Sequence, residues 1–450
     1  MDKKKKLLLN WWLNSGGGST TPWYLAGGIA ESTDYTIYDA AGASSEANSY
    51  INIANPGTRD ALPQNSPTFT LGVGWTGNAS NMYFDTQTVY GANTTVIIMY
   101  RDPTANAAAY LIGALQTSPN RTATIAPYSS TNVGWQVAQS FVSSASRHLG
   151  GTIGFTMSSP FRNGVKDSTL SFTWAGSTTT RTIKLLAYDN GSISGYNAAT
   201  IHRVAIYPNL KLTDAQILAV SNEMLKVGES TLDATYSNKV LALTPSYYAP
   251  LNVKSGFMFV KDYSGNNIPA TYMNRNDWTG GVAGQYGNAV HCSASGSSQI
   301  LPNVNAGYNN LRDFDLDECT ISMWVKINYS APLNQKLIEI WRTGLNDYVA
   351  YEIRGTDKFG FFTKTSGVSQ DNPNLFTGGS GWHLLIMYNS VSQGVVGMRY
   401  DSANYPIAKT LGATITRTNQ LCEIGVIDGD VQHVAIFPRL LSQAEMDTLL

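Results

Sequence analysis

Two stretches place apolar side chains so that one face of a β-strand can be buried: Thr95-Val96-Ile97-Ile98-Met99-Tyr100 and Thr320-Ile321-Ser322-Met323-Trp324-Val325. A third pattern occurs twice. Val204-Ala205-Ile206-Tyr207-Pro208-Asn209-Leu210 returns in the second half as Val434-Ala435-Ile436-Phe437-Pro438-Arg439-Leu440. In each copy an apolar strand is stopped by proline, and a helix start follows, Thr213-Asp214-Ala215-Gln216 in one and Ser442-Gln443-Ala444-Glu445 in the other. The hydroxyl can accept from the first free helix amides while Gln216 or Glu445, three residues on, reaches back, which is the spacing of a capping box. Other landmarks keep the same order: Trp75 through Tyr83 precedes the first apolar strand as Cys292 through Ile300 precedes the second. A repeat on this scale predicts a duplicated domain.

The expected architecture is all-β, two tandem antiparallel β-sandwiches of jelly-roll type, each with a short C-terminal helix. The predicted boundaries are an anchor peptide and linker at 1–21, a first sandwich at 22–228, a linker at 229–244 and a second sandwich at 245–450. The length of 450 residues suits two cores of ordinary size. Composition agrees, because charged residues are only 14% while Gly, Ser, Thr and Asn fill the polar positions, which favours short strands and many turns.

Charge and cysteine content exclude several classes. With 30 basic and 31 acidic residues, net charge −1, no attraction to nucleic acid or to an anionic membrane is implied. Cys292, Cys319 and Cys422 form no Cys-x-x-Cys pair, so neither a zinc site nor a disulfide framework is signalled. The basic-apolar start, Lys3 to Lys6 followed by Leu7 to Leu13, is too short for a membrane span and carries an Asn where a signal peptide would be apolar. With the Gly16-to-Pro22 linker after it, this head reads as a tethered peptide, either an unstructured start or an anchoring plug in which Trp11 and Trp12 dock into a partner and Lys3, Lys4, Lys5 and Lys6 meet acidic groups.

The second copy resembles the laminin G-like, concanavalin A-like lectin and glucanase superfamily of two-sheet jelly rolls. The residues that carry the resemblance are Tyr247 to Leu251, Asp262 to Asn266, Phe314-Asp315-Leu316 leading into Thr320 to Lys326, Gly381-Trp382-His383-Leu384, and the closing signature. The first copy is similar to the form of this fold found on tailed-phage virion proteins, through Ala47 to Thr58 and Phe161-Arg162-Asn163-Gly164. The resemblance implies a structural protein of a virion surface, a decoration, a head or neck fibre or a tail appendage, assembled in the host cytoplasm. Its partners would be other virion proteins, reached through the N-terminal segment, and host-surface glycans; a homo-oligomer is compatible with exposed sandwich edges.

Catalytic chemistry was sought in the superfamily's glucanase motif, Glu-x-Asp-x-x-Glu on a strand, where alternate carboxylates face one sugar. Asp313, Asp315 and Glu318 imitate its spacing with Asp in the first place, and they form the rival reading of a glycan hydrolase. A further rival is a bacterial cell-surface adhesin. The acid that many family members use for calcium just before the closing strand is replaced by Ile201-His202-Arg203 and Val431-Gln432-His433. Asp262 and the Asp428-Gly429-Asp430 run are read as turns, and no cofactor or metal is expected. For sugar binding, the candidates that combine an aromatic face with polar groups are Asp277 with Trp278, and Trp341 with Tyr348.

Overall fold

The computed structural model describes residues 21–102, 109–117, 120–127, 133–137, 140–144, 150–167, 170–173, 180–266, 270–273, 278–292, 299–302, 318–328, 335–342, 348–354, 358–365, 368–390, 392–408, 420–426 and 428–450. The chain divides into two compact units, Met1–Gly228 and Glu229–Leu450. Each holds an eight-stranded and a seven-stranded antiparallel sheet. This is the all-β sandwich expected from the repeated strand pattern.

In the first unit the larger sheet runs in the order Val165–Lys166, Ser159–Arg162, Gly150–Thr156, Thr95–Arg101, Thr200–Tyr207, Gly74–Thr76, Thr68–Thr70, and Thr36–Asp39 also pairs with the closing strand Thr200–Tyr207. The smaller sheet runs Ser140–Ser144, Val133–Val137, Asn120–Pro127, Ile112–Thr117, Lys184–Leu185, Tyr83–Asp85, Leu62–Gln64. The second unit repeats this order strand for strand. Its larger sheet is Ala403–Ala408, Val395–Tyr400, His383–Ser390, Glu318–Ile327, Gly429–Phe437, Gly287–Cys292, Trp278–Gly284, with Tyr247–Ala249 on the closing strand. Its smaller sheet is Val368–Thr377, Lys358–Thr365, Tyr348–Arg354, Gln335–Arg342, Gln420–Val426, Gln299–Pro302, Ala270–Met273.

The two apolar strands read from sequence are the central neighbours of the closing strands in both copies. Both closing strands are irregular just before the Val-Ala-Ile run. In the first unit the register slips at His202; in the second it slips opposite Met323, and His433 takes a φ of 52°. Such a bulge re-aims the side chains beside it. Both helix starts close as capping boxes, Thr213 with Gln216 and Ser442 with Glu445. The first unit's core stacks Trp75 on Phe84 at 4.3 Å between the two sheets, and the indole N–H donates to Ser49 Oγ at 2.8 Å. The hairpin at Phe161 to Gly164 turns on Asn163 and Gly164, with φ of 47° and 79°, as an Asn-Gly turn requires.

The stretch 229–244, expected as a linker, belongs to the second unit. Asp233 caps a helix Ala234–Ala242, and Tyr236 and Val240 are buried in that unit's core. The mostly polar run Glu229 to Asp233 conceals this element, since the whole helix buries only two apolar side chains, Tyr236 and Val240, against partners far along the chain. The predicted anchor peptide, including Lys3, Lys4, Lys5, Lys6, Trp11 and Trp12, lies outside the described residues. Trp23–Leu25 forms a buried turn whose Tyr24 carbonyl accepts from the Tyr207 hydroxyl at 2.7 Å.

Candidate functional site

Side chains alternate across a strand, and register partners share a face. In the first unit's smaller sheet one row, Phe84, Leu185, Ile112, Ile125 and Trp135, points into the core. The neighbouring row, Leu62, Asp85, Lys184, Gly113, Thr124, Gln136 and Phe141, therefore lies on the outer face. This outer row carries Asp85 and Lys184 side by side, with aromatic groups close to them.

At its centre Lys184 Nζ sits 2.7 Å from Asp85 Oδ2 and 3.6 Å from Asp189 Oδ2, and it donates to Thr182 Oγ1 at 2.5 Å. Arg181 reaches Asp189 Oδ1 at 3.0 Å. Burial alone would raise the Asp85 carboxyl, but the hydrogen bonds from Lys184, Thr182 and the Gln87 amide, with the Lys184 charge, hold it below its ordinary value. Around this charge cluster stand four half-exposed tyrosines. Tyr110 stacks on Tyr188 at 4.6 Å, and Tyr83 and Tyr196 lie 6.2 Å apart. Burial raises the phenols of Tyr83, Tyr110 and Tyr188, with neighbouring Tyr196, Asp85 and Asp189 adding to the effect at Tyr83, so these hydroxyls stay protonated donors. Flat apolar ring faces beside fixed carboxylates and hydroxyls are what a pyranose ring needs.

The sequence alone does not reveal this cluster. Its members are spread from Leu62 to Tyr196, and only strand pairing collects them. One local signal exists: Asp189-Asn190-Gly191 is a turn sequence, and the structure uses it in the hairpin Tyr188–Asp189 with Ile193–Ser194.

The sequence-predicted sugar residues fare differently. Asp277 lies outside the described residues, and Trp278 begins a strand opposite Cys292. Trp341 and Tyr348 are direct cross-strand partners in the second unit's smaller sheet, so the backbone brings that pair together. Asp313 and Asp315 of the hydrolase reading lie outside the described residues. Glu318 is engaged structurally: its two carboxylate oxygens accept from Ser390 Oγ at 2.8 Å and from the Ser392 amide at 2.7 Å, fastening the turn that follows the neighbouring strand.

The positions just before the two Val-Ala-Ile runs, which the structure places inside the closing strands, hold structural side chains. Arg203 grips Asp39 through Nε–Oδ1 at 2.9 Å and a terminal nitrogen to Oδ2 at 2.8 Å, and donates to the Glu223 and Met224 carbonyls at the end of helix Asp214–Leu225. His202 donates from Nδ1 to the Val73 carbonyl at 2.7 Å. In the second unit the His433 Nδ1 meets the Tyr248 hydroxyl at 2.6 Å, and that hydroxyl lies 2.9 Å from Ser237 Oγ. Tyr236 and Tyr286 pack on the imidazole at 4.6 and 5.7 Å. Burial drives both imidazoles down to about 4, leaving them neutral. Asp262 accepts from the Tyr248 and Ser264 amides, as a turn residue does. Asp430 pairs with His291 at 2.8 Å and Asp428 accepts from Asn328 at 3.0 Å. Among the described residues no group of three or more His, Cys, Asp or Glu side chains could hold a metal ion, and no helix is long and apolar enough to cross a membrane.

No protein-family model matches the chain, and no curated protein matches it. Solved structures are similar over part of it. Domain 4 of the GH43 extracellular arabinanase from Geobacillus stearothermophilus, in complex with arabinotriose, is 15% identical and has a TM-score of 0.37, over 46% of this chain and 98% of that one. The binding domain of Paraclostridial Mosquitocidal Protein 1 is 13% identical with a TM-score of 0.36, over 46% of this chain and 52% of that one, so about half of that domain is spanned. The CBM40 of Ruminococcus gnavus IT-sialidase, bound to alpha2,3 sialyllactose, is 14% identical with a TM-score of 0.28, over 36% and 95%. None of these likenesses assigns a ligand or an activity to this chain.

Proposed function

We propose that this chain is a non-enzymatic structural protein of a phage virion surface, adhesive to glycans through the outer face of its first unit's smaller sheet. The observation that carries the adhesive reading is the Tyr83, Tyr110, Tyr188 and Tyr196 surround of the Asp85–Lys184–Asp189 cluster. Tyr83 stands on the sheet beside Asp85 and Tyr188 on the hairpin seated over it, and the ion pairs of Asp85, Lys184, Asp189 and Arg181 hold sheet and hairpin together before a ligand arrives, which lowers the ordering cost of binding. The virion reading rests on the likeness of Ala47 to Thr58 and Phe161 to Gly164 to tailed-phage proteins. In the structure the first of these segments runs from the short helix Glu46–Ser49 into a loop organised by Asn52, whose carboxamide holds the Ile37 amide and the Tyr35 and Thr58 carbonyls. A non-enzymatic role is favoured over the hydrolase because both oxygens of Glu318 already serve the fold.

The test is a glycan array probed with the full chain and with Tyr83→Ala/Tyr196→Ala. Binding by the parent and a loss of about fivefold or more in the variant are expected, since stripping two aromatic faces removes about 1 kcal/mol or more. Equal binding by parent and variant would place the glycan elsewhere. Peptide mass spectrometry of purified particles, with this chain present in stoichiometric amount, checks the virion claim; its absence from every particle sinks it.

A further inference from the structure

The outer row of the first unit's smaller sheet is open at one end and shut at the other. Leu62 stands on the edge strand and is 44% exposed. Inwards the row continues through Asp85 and Lys184 to Gly113, where it meets a wall. A Cβ built on Gly113 would lie 2.8 Å from Tyr188 Cα and 3.0 Å from the Ala187 carbonyl oxygen, so the Tyr188–Ser194 hairpin is seated directly on the sheet. Thr124, the next residue of the row, is buried. Tyr110 braces the hairpin by stacking on Tyr188, and Asp189 ties it to Lys184 on the floor and to Arg181. With strands about 4.8 Å apart, the floor from Leu62 to Lys184 is about 10 Å long, enough for about two sugar rings.

Charge selects the kind of sugar. The floor's two cations, Lys184 and Arg181, are both held by carboxylates, and with Asp85 and Asp189 the cluster sums to zero. The Lys184 side chain is only 7% exposed, whereas that of Asp85 is 25% exposed. Arg181, at 34%, is more exposed than either carboxylate, but it is paired with Asp189 as Lys184 is with Asp85, so an acidic sugar gains no net attraction from the cluster. A neutral ring finds carboxylate acceptors for its hydroxyls and tyrosine faces for its apolar side.

We infer that this face is a blind-ended site for the terminal rings of a neutral glycan and excludes the interior of a long chain, an inference that rests on its being a glycan site at all. The full chain is titrated calorimetrically with neutral gluco-, galacto- and manno-oligosaccharides of two to eight rings, and with sialyllactose and oligogalacturonates. Affinity for the preferred neutral series should already be near its limit at two rings, which fill the floor, and change less than twofold from three to eight. Tyr188→Ala removes the ring that braces the hairpin against Tyr110 and lets the hairpin lift from Gly113, and a fivefold or greater preference for eight rings over three should then appear, with near-ultraviolet circular dichroism confirming that the fold persists. Should Tyr188→Ala not fold, the length series on the parent still decides. A tenfold gain from three to eight rings in the parent, or preference for the acidic sugars, overturns the blind-ended neutral site while leaving glycan binding intact. Absence of binding to every sugar overturns both.

Discussion

Asp39 offers a sharp test of how the first unit is held together. Asp39→Ala removes the acceptor of two guanidinium hydrogen bonds at 2.9 and 2.8 Å, and of the Gly42 amide at 2.8 Å. Arg203 remains, with its side chain 9% exposed, lying 5.1 Å over the Trp23 ring and still bonded to the Glu223 and Met224 carbonyls. Those contacts hold the guanidinium in place but leave its charge uncompensated. Removing one partner of such a buried pair costs about 3–5 kcal/mol. For a unit of this size each kcal/mol moves the Tm by about 2–4 °C, so a fall of about 6–20 °C is expected for the first unit. Replacing both partners by apolar residues, Asp39→Leu with Arg203→Met, should recover most of the loss, because no charge is then stranded. Differential scanning calorimetry of the full chain, with hydrogen exchange to assign each transition, reads the result. The loss of protection should be confined to residues before Glu229. A shift under 2 °C for Asp39→Ala, or a double variant as unstable as the single, would refute the reasoning.

Three further outcomes follow from other contacts. His202 and His433 are neutral when folded, with values near 4 against an unfolded value near 6.5, so the unfolded chain binds more protons between those limits. Stability should be complete above about pH 7 and fall as the pH drops through 6.5 towards 4, by about 2–3 kcal/mol per histidine at pH 4.5; a flat urea midpoint between pH 7 and 4.5 contradicts this. Ser442→Ala removes the hydroxyl that accepts from the Glu445 amide and should cost the second unit about 1 kcal/mol in chemical denaturation, with Thr213→Ala acting likewise on the first. Gly113→Val places atoms where the Tyr188 backbone already lies, so it should lift the hairpin, cost about 1–3 kcal/mol and weaken glycan binding in the same calorimetric titration; unchanged affinity would separate the hairpin from the site.

The sequence by itself determined the duplication, the strand class and the helix starts. These are local properties: the Val-Ala-Ile run stopped by proline, the apolar strands at Thr95 and Thr320, and the Ser or Thr spaced three residues from Gln or Glu all act within a few residues of themselves. Tertiary structure alone decided the rest. The helix at Ala234–Ala242 was read as linker because its anchor, Tyr236, gains its value from Tyr286, Trp324 and His433, which are distant in sequence. The outer-face cluster escaped for the same reason: Asp85 and Lys184 become neighbours only when two strands pair, and Gly113 gains meaning only when a hairpin is laid across it. Periodicity says that a strand has two faces; which strand lies beside it, and so what chemistry each face gathers, is fixed by packing between residues that no local pattern connects.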